Sequence, residues 1–150
     1  MDIKPPAQRS ENMAKIRSKN TKQELFIRSQ LHRSGYRFRV NFTGITGHPD
    51  LWFPRRRVAV FVNGCYWHRH AGCKLAYTPK SNVAFWTGKF EANKARDSVV
   101  KDALAQQGVR VLVIWECAVK QMQKDQKALD ASLQAIRAFL DTPEIHYLEL

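Results

Sequence analysis

Two apolar runs constrain this chain more than anything else in it. Residues 58–62 read VAVFV and residues 109–115 read VRVLVIW. Neither alternates apolar with polar positions, so each reads as a strand buried on both faces, as at the centre of a helix-covered sheet. Both runs also end on reactive side chains. The first leads through Asn63 and Gly64 into CYWHRHAGC, residues 65–73, and the second stops at Glu116 and Cys117.

The rest of the pattern supplies helices and shorter strands. TKQELFIRSQLHRSG, residues 21–35, predicts a helix capped by Thr21, with Glu24 at the capping-box position and Gly35 as the stop. Leu25, Ile27 and Leu31 are expected on its buried face. YRFRV (36–40) alternates like a strand with one polar face, NFTGITGHP is a loop, DLWF is a short strand opening at Asp50, and PRRR (54–57) is a basic turn. A cluster loop fills roughly 64–80. A long helical region is predicted from about 82 to 106, with Gly88 as a point of interruption and Gly108 as the stop. A last amphipathic helix is expected over about 124–140, burying Leu129, Leu133, Ile136 and Leu140. The expected fold is therefore α/β: a mixed central sheet flanked by helices, in one domain spanning 1–150. Residues 1–20 read as an exposed basic arm, and 121–150 as a C-terminal helix and tail.

Charge narrows the partner. Lys and Arg number 25 against 13 Asp and Glu, leaving +12, and an excess of this size points to a polyanion. No segment approaches the roughly 18 apolar residues of a membrane span. The N-terminus lacks the apolar stretch of a signal peptide. A cytoplasmic nucleic-acid-binding protein is expected, without a membrane partner. The three cysteines suit that compartment better as metal ligands or free thiols than as a disulfide framework.

Cys65, His70 and Cys73 follow the spacing C-x4-H-x2-C, and Cys117 is the natural fourth ligand because its strand can lie beside VAVFV. Three thiolates and one imidazole are a common structural zinc set. His68 lies two residues before His70, and spacing alone leaves open which of them binds. The other is then free for different work.

Several further groups have catalytic character. Asp50 opens a strand beside a Gly-rich loop and can hold a hard divalent ion such as Mg2+. His68 can act as a general base near neutral pH, and Asp97 can hold its imidazole. Each has an ordinary alternative: a turn aspartate, a surface histidine, and an Asp97 paired with Lys94 or Lys101. Together with the charge they suggest metal-assisted phosphodiester cleavage. Tyr66 and Trp67 are hard to bury between Cys65 and His68 and suit stacking on bases; Trp86 reads by pattern as a core residue or a third stacking ring.

NTKQELFIRSQLHRSGYRFRV, GHPDLWFPRRRVAVFVNGCYWHRH, FWTGKFEANKARD and GVRVLVIWEC occur in this order between about residues 9 and 120. Together they resemble the very-short-patch-repair (Vsr) DNA mismatch endonucleases. The resemblance implies a restriction-endonuclease-like fold with a structural zinc. It implies a Mg2+-dependent, strand-specific enzyme that nicks duplex DNA 5′ of the thymine in a T·G mismatch left by deamination of 5-methylcytosine, starting repair synthesis in the bacterial cytoplasm at the nucleoid. Carried over residue by residue, it implies that Asp50 and the Val62 carbonyl contact Mg2+, that His68 is the base and Asp97 its orienting partner, and that Glu24 is an acid near the active site. Cys65, His70, Cys73 and Cys117 are the implied zinc ligands. Tyr66, Trp67 and Trp86 are the implied wedge beside the mismatch, with Met13 inserted from the minor-groove side. A monomer that cooperates with mismatch-repair proteins is expected.

The chain departs from that pattern in places. Asn63 stands where some members carry a second active-site histidine; it cannot titrate but can hydrogen-bond a phosphate or water. Tyr66 replaces a more usual Phe. The remaining alternatives are a nuclease of the same fold with another DNA target and a noncatalytic zinc-stabilised DNA-binding module.

Overall fold

The computed structural model describes residues 19–150. The expected arm, including Met13, lies outside the described residues apart from its last two positions. Five strands form one sheet in the order β1-β2-β3-β4-β5: β1 (Arg39–Val40), β2 (Leu51–Phe53), β3 (Val58–Asn63), β4 (Arg110–Trp115) and β5 (Tyr147–Glu149). β1–β2 and β2–β3 are antiparallel pairs, while β3–β4 and β4–β5 are parallel pairs. The sheet is therefore mixed, and VAVFV occupies its centre.

The described residues form four helices: α1 (Lys22–Arg33), α2 (Val83–Gln106), α3 (Glu116–Lys124) and α4 (Gln126–Asp141). Period-two alternation splits the strands between two apolar layers. Leu51, Phe53, Val58, Val60, Leu112 and Ile114 pack with Ile27 and Leu31 of α1, Val119 and Met122 of α3, and Leu129, Ile136, Phe139 and Leu140 of α4. Trp52, Ala59, Val111, Val113 and Trp115 face the other way, toward Cys65 and Leu104 of α2. That second face is thinly covered, because α2 buries only Phe90 and Leu104 along its 24 residues. The cleft left beneath α2 is where the polar chemistry collects.

Local signals explain most boundaries. Thr21 Oγ1 accepts the Glu24 backbone N–H at 3.2 Å, as the capping box requires. Glu24 reaches back one residue further than in the usual box, accepting the N–H of Asn20 at 2.7 Å. α1 ends in a Schellman turn: Gly35 at φ 93° donates to His32 and Tyr36 donates to Leu31.

Some expectations are corrected. Leu25 is 48% exposed, because the buried stripe of α1 runs through Glu24, Ile27 and Leu31. α2 is continuous through Gly88; a glycine there costs about 1 kcal/mol, which a 24-residue helix absorbs. Only Arg39 and Val40 of YRFRV pair as strand, although Tyr36 and Phe38 still turn inward onto Phe53. α3 and β5 were not expected. α3 offers only Val119 and Met122 as buried residues, and three-residue β5 pairs with a strand more than thirty positions away.

Candidate active site and metal centre

The register of β3 against β4 builds the candidate metal centre. Asn63 pairs with Trp115, so Cys65 and Cys117 each stand two residues beyond a matched position. The turns after β3 then bring in His70 and Cys73. The ligand atoms of Cys65, His70, Cys73 and Cys117 all lie within 4.8 Å of one another. His70 Nδ1 is 3.6 Å from Cys65 Sγ and 3.4 Å from Cys117 Sγ. A tetrahedral zinc with bonds of about 2.3 Å to sulfur and about 2.1 Å to nitrogen needs S···N edges of about 3.6 Å. The four donors therefore fit zinc in separation, type and number.

Burial pushes the Cys65 thiol up to about 12 and the Cys117 thiol in the same direction, whereas the backbone N–H of Leu75 draws Cys73 down. A thiolate in this pocket needs a cation. The loop is held by more than its ligands: Glu116 Oε1 accepts the Cys65 N–H at 3.2 Å, and the His70 ring lies against Trp115.

His68 is not part of that cluster. Its Nδ1 stands 2.7 Å from Asp97 Oδ2 of α2, and both side chains are partly exposed. The histidine left open by spacing is thus assigned: His70 joins the cysteines and His68 joins the carboxylate. Lys94, a candidate partner for Asp97, reaches Glu91 instead at 4.0 Å. Asn63, His68 and Asp97 line one cavity of about 650 Å³ under α2.

Asp50 precedes β2 at the same end of the sheet. Its Oδ2 accepts the Val62 N–H at 2.7 Å. In a strand the N–H and C=O of one residue point to the same side, so the Val62 carbonyl faces the side of Asp50. Burial raises the Asp50 carboxyl to about 7; the Val62 N–H opposes the rise, the charge of Glu24 adds to it, and Arg28 and His68 work against it. Glu24 is itself 3% exposed and pairs with Arg28 at 3.3 Å. It is therefore a buried acid close to Asp50 as well as a cap residue.

Tyr66, Trp67 and Trp86 come together from two elements. Tyr66 and Trp67 meet edge to face at 5.0 Å, and Trp86 lies 6.4 Å and 5.9 Å from them. All three are partly buried, so Trp86 is neither a core residue nor isolated. The described candidates thus fall into four groups: the Cys/His cluster, the His68–Asp97 pair, Asp50 on Val62, and the three rings.

It also adds residues that the sequence did not single out. Arg69, at φ 53°, donates to the carbonyls of Tyr66, Ala76 and Tyr77, and its guanidinium lies 3.9 Å from the centroid of Phe90. It ties the metal loop to the following turn and to α2. Arg28 Nη2 also bonds Asn20 Oδ1, which accepts from Asn41 Nδ2, while the Asn41 N–H donates to the Asp50 carbonyl. The Glu24–Arg28 pair at i,i+4 was the one local signal of this network.

Comparison with known proteins bears on this geometry. Residues 1–74 match the family described as "DNA mismatch endonuclease Vsr". The chain is 46% identical over 131 residues to the type II nicking enzyme V.XorIIP of Xanthomonas oryzae pv. oryzae, covering 87% of this chain and 93% of that one. It is 39% identical over 119 residues to the type II nicking enzyme V.NmeAIP of Neisseria meningitidis, covering 79% and 84%. It is 34% identical over 154 residues to the DNA mismatch endonuclease Vsr of Escherichia coli, covering 98% of each.

Proposed function

Because the chain belongs to the Vsr family of DNA endonucleases, related to type II nicking enzymes, we propose that it nicks one strand of duplex DNA 5′ of the thymine in a T·G mismatch, dependent on Mg2+. One observation carries this reading. Within the six residues 65–70, side chains divide among three tasks: Cys65 and His70 enter the metal cluster, His68 pairs with Asp97, and Tyr66 and Trp67 join Trp86.

The His68–Asp97 pair supports a general base. A carboxylate accepts, so Nδ1 carries the proton and Nε2 is left to take one from a water. The imidazolium that forms is stabilised by Asp97. Zinc serves structure in this reading, since four protein ligands leave no open position.

Mg2+ fits the acidic side of the site. Asp50 has one carboxylate oxygen on the Val62 N–H and none of the hydrogen bonds among the described residues falls on the other. Asp50, Glu24 and the Val62 carbonyl are the oxygen donors for a hard cation. Such an ion would offset the negative charge that builds on the phosphate. Asn63, on the wall of the cavity shared with His68, is suited to hold a phosphate oxygen or water by hydrogen bonding.

The aromatic group supports the mismatch preference. Opening a base step costs a few kcal/mol, and less beside a mismatch, so ring insertion selects the weakened pair. Met13 would insert from the opposite groove. The test is nicking, with Mg2+, of duplexes carrying T·G, T·A or C·G at one position. T·G alone should be cut efficiently, and equal cutting of all three rejects the mismatch reading.

A further inference from the structure

The arginine run of residues 55–57 is the densest basic stretch in the sequence, and the site described above does not use it. The structure places it at the end of β3 opposite Asn63. At about 3.3 Å per residue, Arg57 lies about 20 Å along the strand from the catalytic end. Two clefts meet there. Arg37, Arg39, Arg55 and Arg56 line one of about 750 Å³. Arg55 and Arg56 also line the other, of about 520 Å³, with Arg57 and Arg110. Sharing two arginines, the clefts form one cationic face.

Some of these side chains are occupied by the fold. Arg110 donates to the carbonyls of Phe139, Leu140, Thr142 and Ile145 at the end of α4. Arg57 holds the Gln107 carbonyl, and Arg56 pairs with Asp141 at 3.4 Å. Arg39 and Arg55 have no acidic partner among the described residues. Arg110 shows the crowding: burial, and then the charge of Arg56, lower its affinity for its proton, with Glu144 opposing in part. Guanidinium groups gathered with so little compensation suit a bound polyanion, and their planar forks match phosphate oxygens. No large apolar side chain of either cleft is exposed, so the face lacks the anchors that protein interfaces are built on.

We propose that this face binds the phosphodiester backbone of duplex DNA, as a second contact remote from the strand being cut. The inference needs only that the chain acts on DNA, not that it prefers a mismatch. The experiment compares Arg39→Glu/Arg55→Glu with Lys124→Glu/Lys127→Glu, an equal charge change on exposed helix positions elsewhere. Binding to a matched duplex of about 40 base pairs is followed by fluorescence anisotropy over a salt series. The arginine variant should bind about tenfold more weakly at low salt, with a slope of log K against log salt shallower by about two. Arg55→Lys should keep most of the affinity, and the nicking rate at saturating DNA should not change. An unaltered slope, or the same loss in the lysine control, overturns the proposal, as does a variant that loses polyglutamate binding while its DNA binding is unchanged. Loss of mismatch preference in the nicking assay would reject the functional reading above and leave this result standing.

Discussion

His70 lies flat against Trp115, with ring centroids 4.2 Å apart and planes 6° from parallel. Trp115 in turn donates its Nε1–H to Glu149 of β5 at 2.5 Å, and the Tyr147 hydroxyl donates to the same carboxylate. The imidazole of the Cys/His cluster is thus oriented by the last residue of β4, and that residue is held by a strand near residue 150. Contacts behind a ligand set its geometry and affinity.

The first prediction concerns that centre. Cys117→Ser removes one of the four candidate ligand atoms, while the backbone N–H at 117 can still donate to Cys65 Sγ. Purified Cys117→Ser should contain less than stoichiometric zinc and melt at a lower temperature. Full zinc occupancy by elemental analysis would refute the assignment.

Asp97→Asn keeps the size of the side chain but offers an amide to His68 Nδ1. The imidazole is then no longer held in the tautomer that leaves Nε2 open. The nicking rate should drop by roughly 10²–10⁴-fold with DNA affinity preserved. A variant with the native rate and pH profile would remove Asp97 from the mechanism.

Asp50 makes a prediction about pH. Its folded value of about 7 lies above the unfolded value of about 3.9. The folded state therefore holds the proton more tightly, and stability falls as pH rises between those two values. The loss is at most about 4 kcal/mol. Without added divalent cation, Asp50→Asn should be more stable than the native chain at about pH 8 and no more stable at about pH 4. The amide oxygen can still accept the Val62 N–H. Parallel melting curves for the two proteins across that range would show the charge cost to be absent.

Arg69 should matter for placement of the rings, not for zinc. Arg69→Ala loses hydrogen bonds to three carbonyls and the contact with Phe90. Zinc content should stay stoichiometric while discrimination between T·G and T·A falls. Arg69→Lys should not rescue it, because one ammonium cannot span the same carbonyls. Retained discrimination in Arg69→Ala, measured by relative kcat/KM, would contradict this role.

Local pattern was enough for the parts of the fold that repeat along the backbone. The strands at 58–62 and 109–115 were legible because burial on both faces leaves near-continuous apolar runs, broken only by Arg110. The cap at Thr21 and the stop at Gly35 were legible because the first turn needs a side-chain acceptor for its free N–H groups and the end of the helix needs a positive φ. The residues of the Cys/His cluster were legible too, since few other uses suit clustered cysteines and histidine. β5 and α3 were not, because so few of their residues are buried that neither leaves a clear period.

Residue identity in this chain determined which chemistry was available: thiolates, imidazoles, carboxylates, aromatic rings and an excess of positive charge. Tertiary structure decided which groups meet. Sequence spacing could not separate His68 from His70, but the approach of α2 gave His68 to Asp97, and the parallel register of β3 and β4 gave His70 to the cysteines. The same folding carried the arginines of 55–57 to the end of the sheet away from that site. The reason is physical: periodicity reports on neighbours within a turn or a pleat, whereas pairing across 51 positions, as from Cys65 to Glu116, is set by strand register and the packing of a shared core.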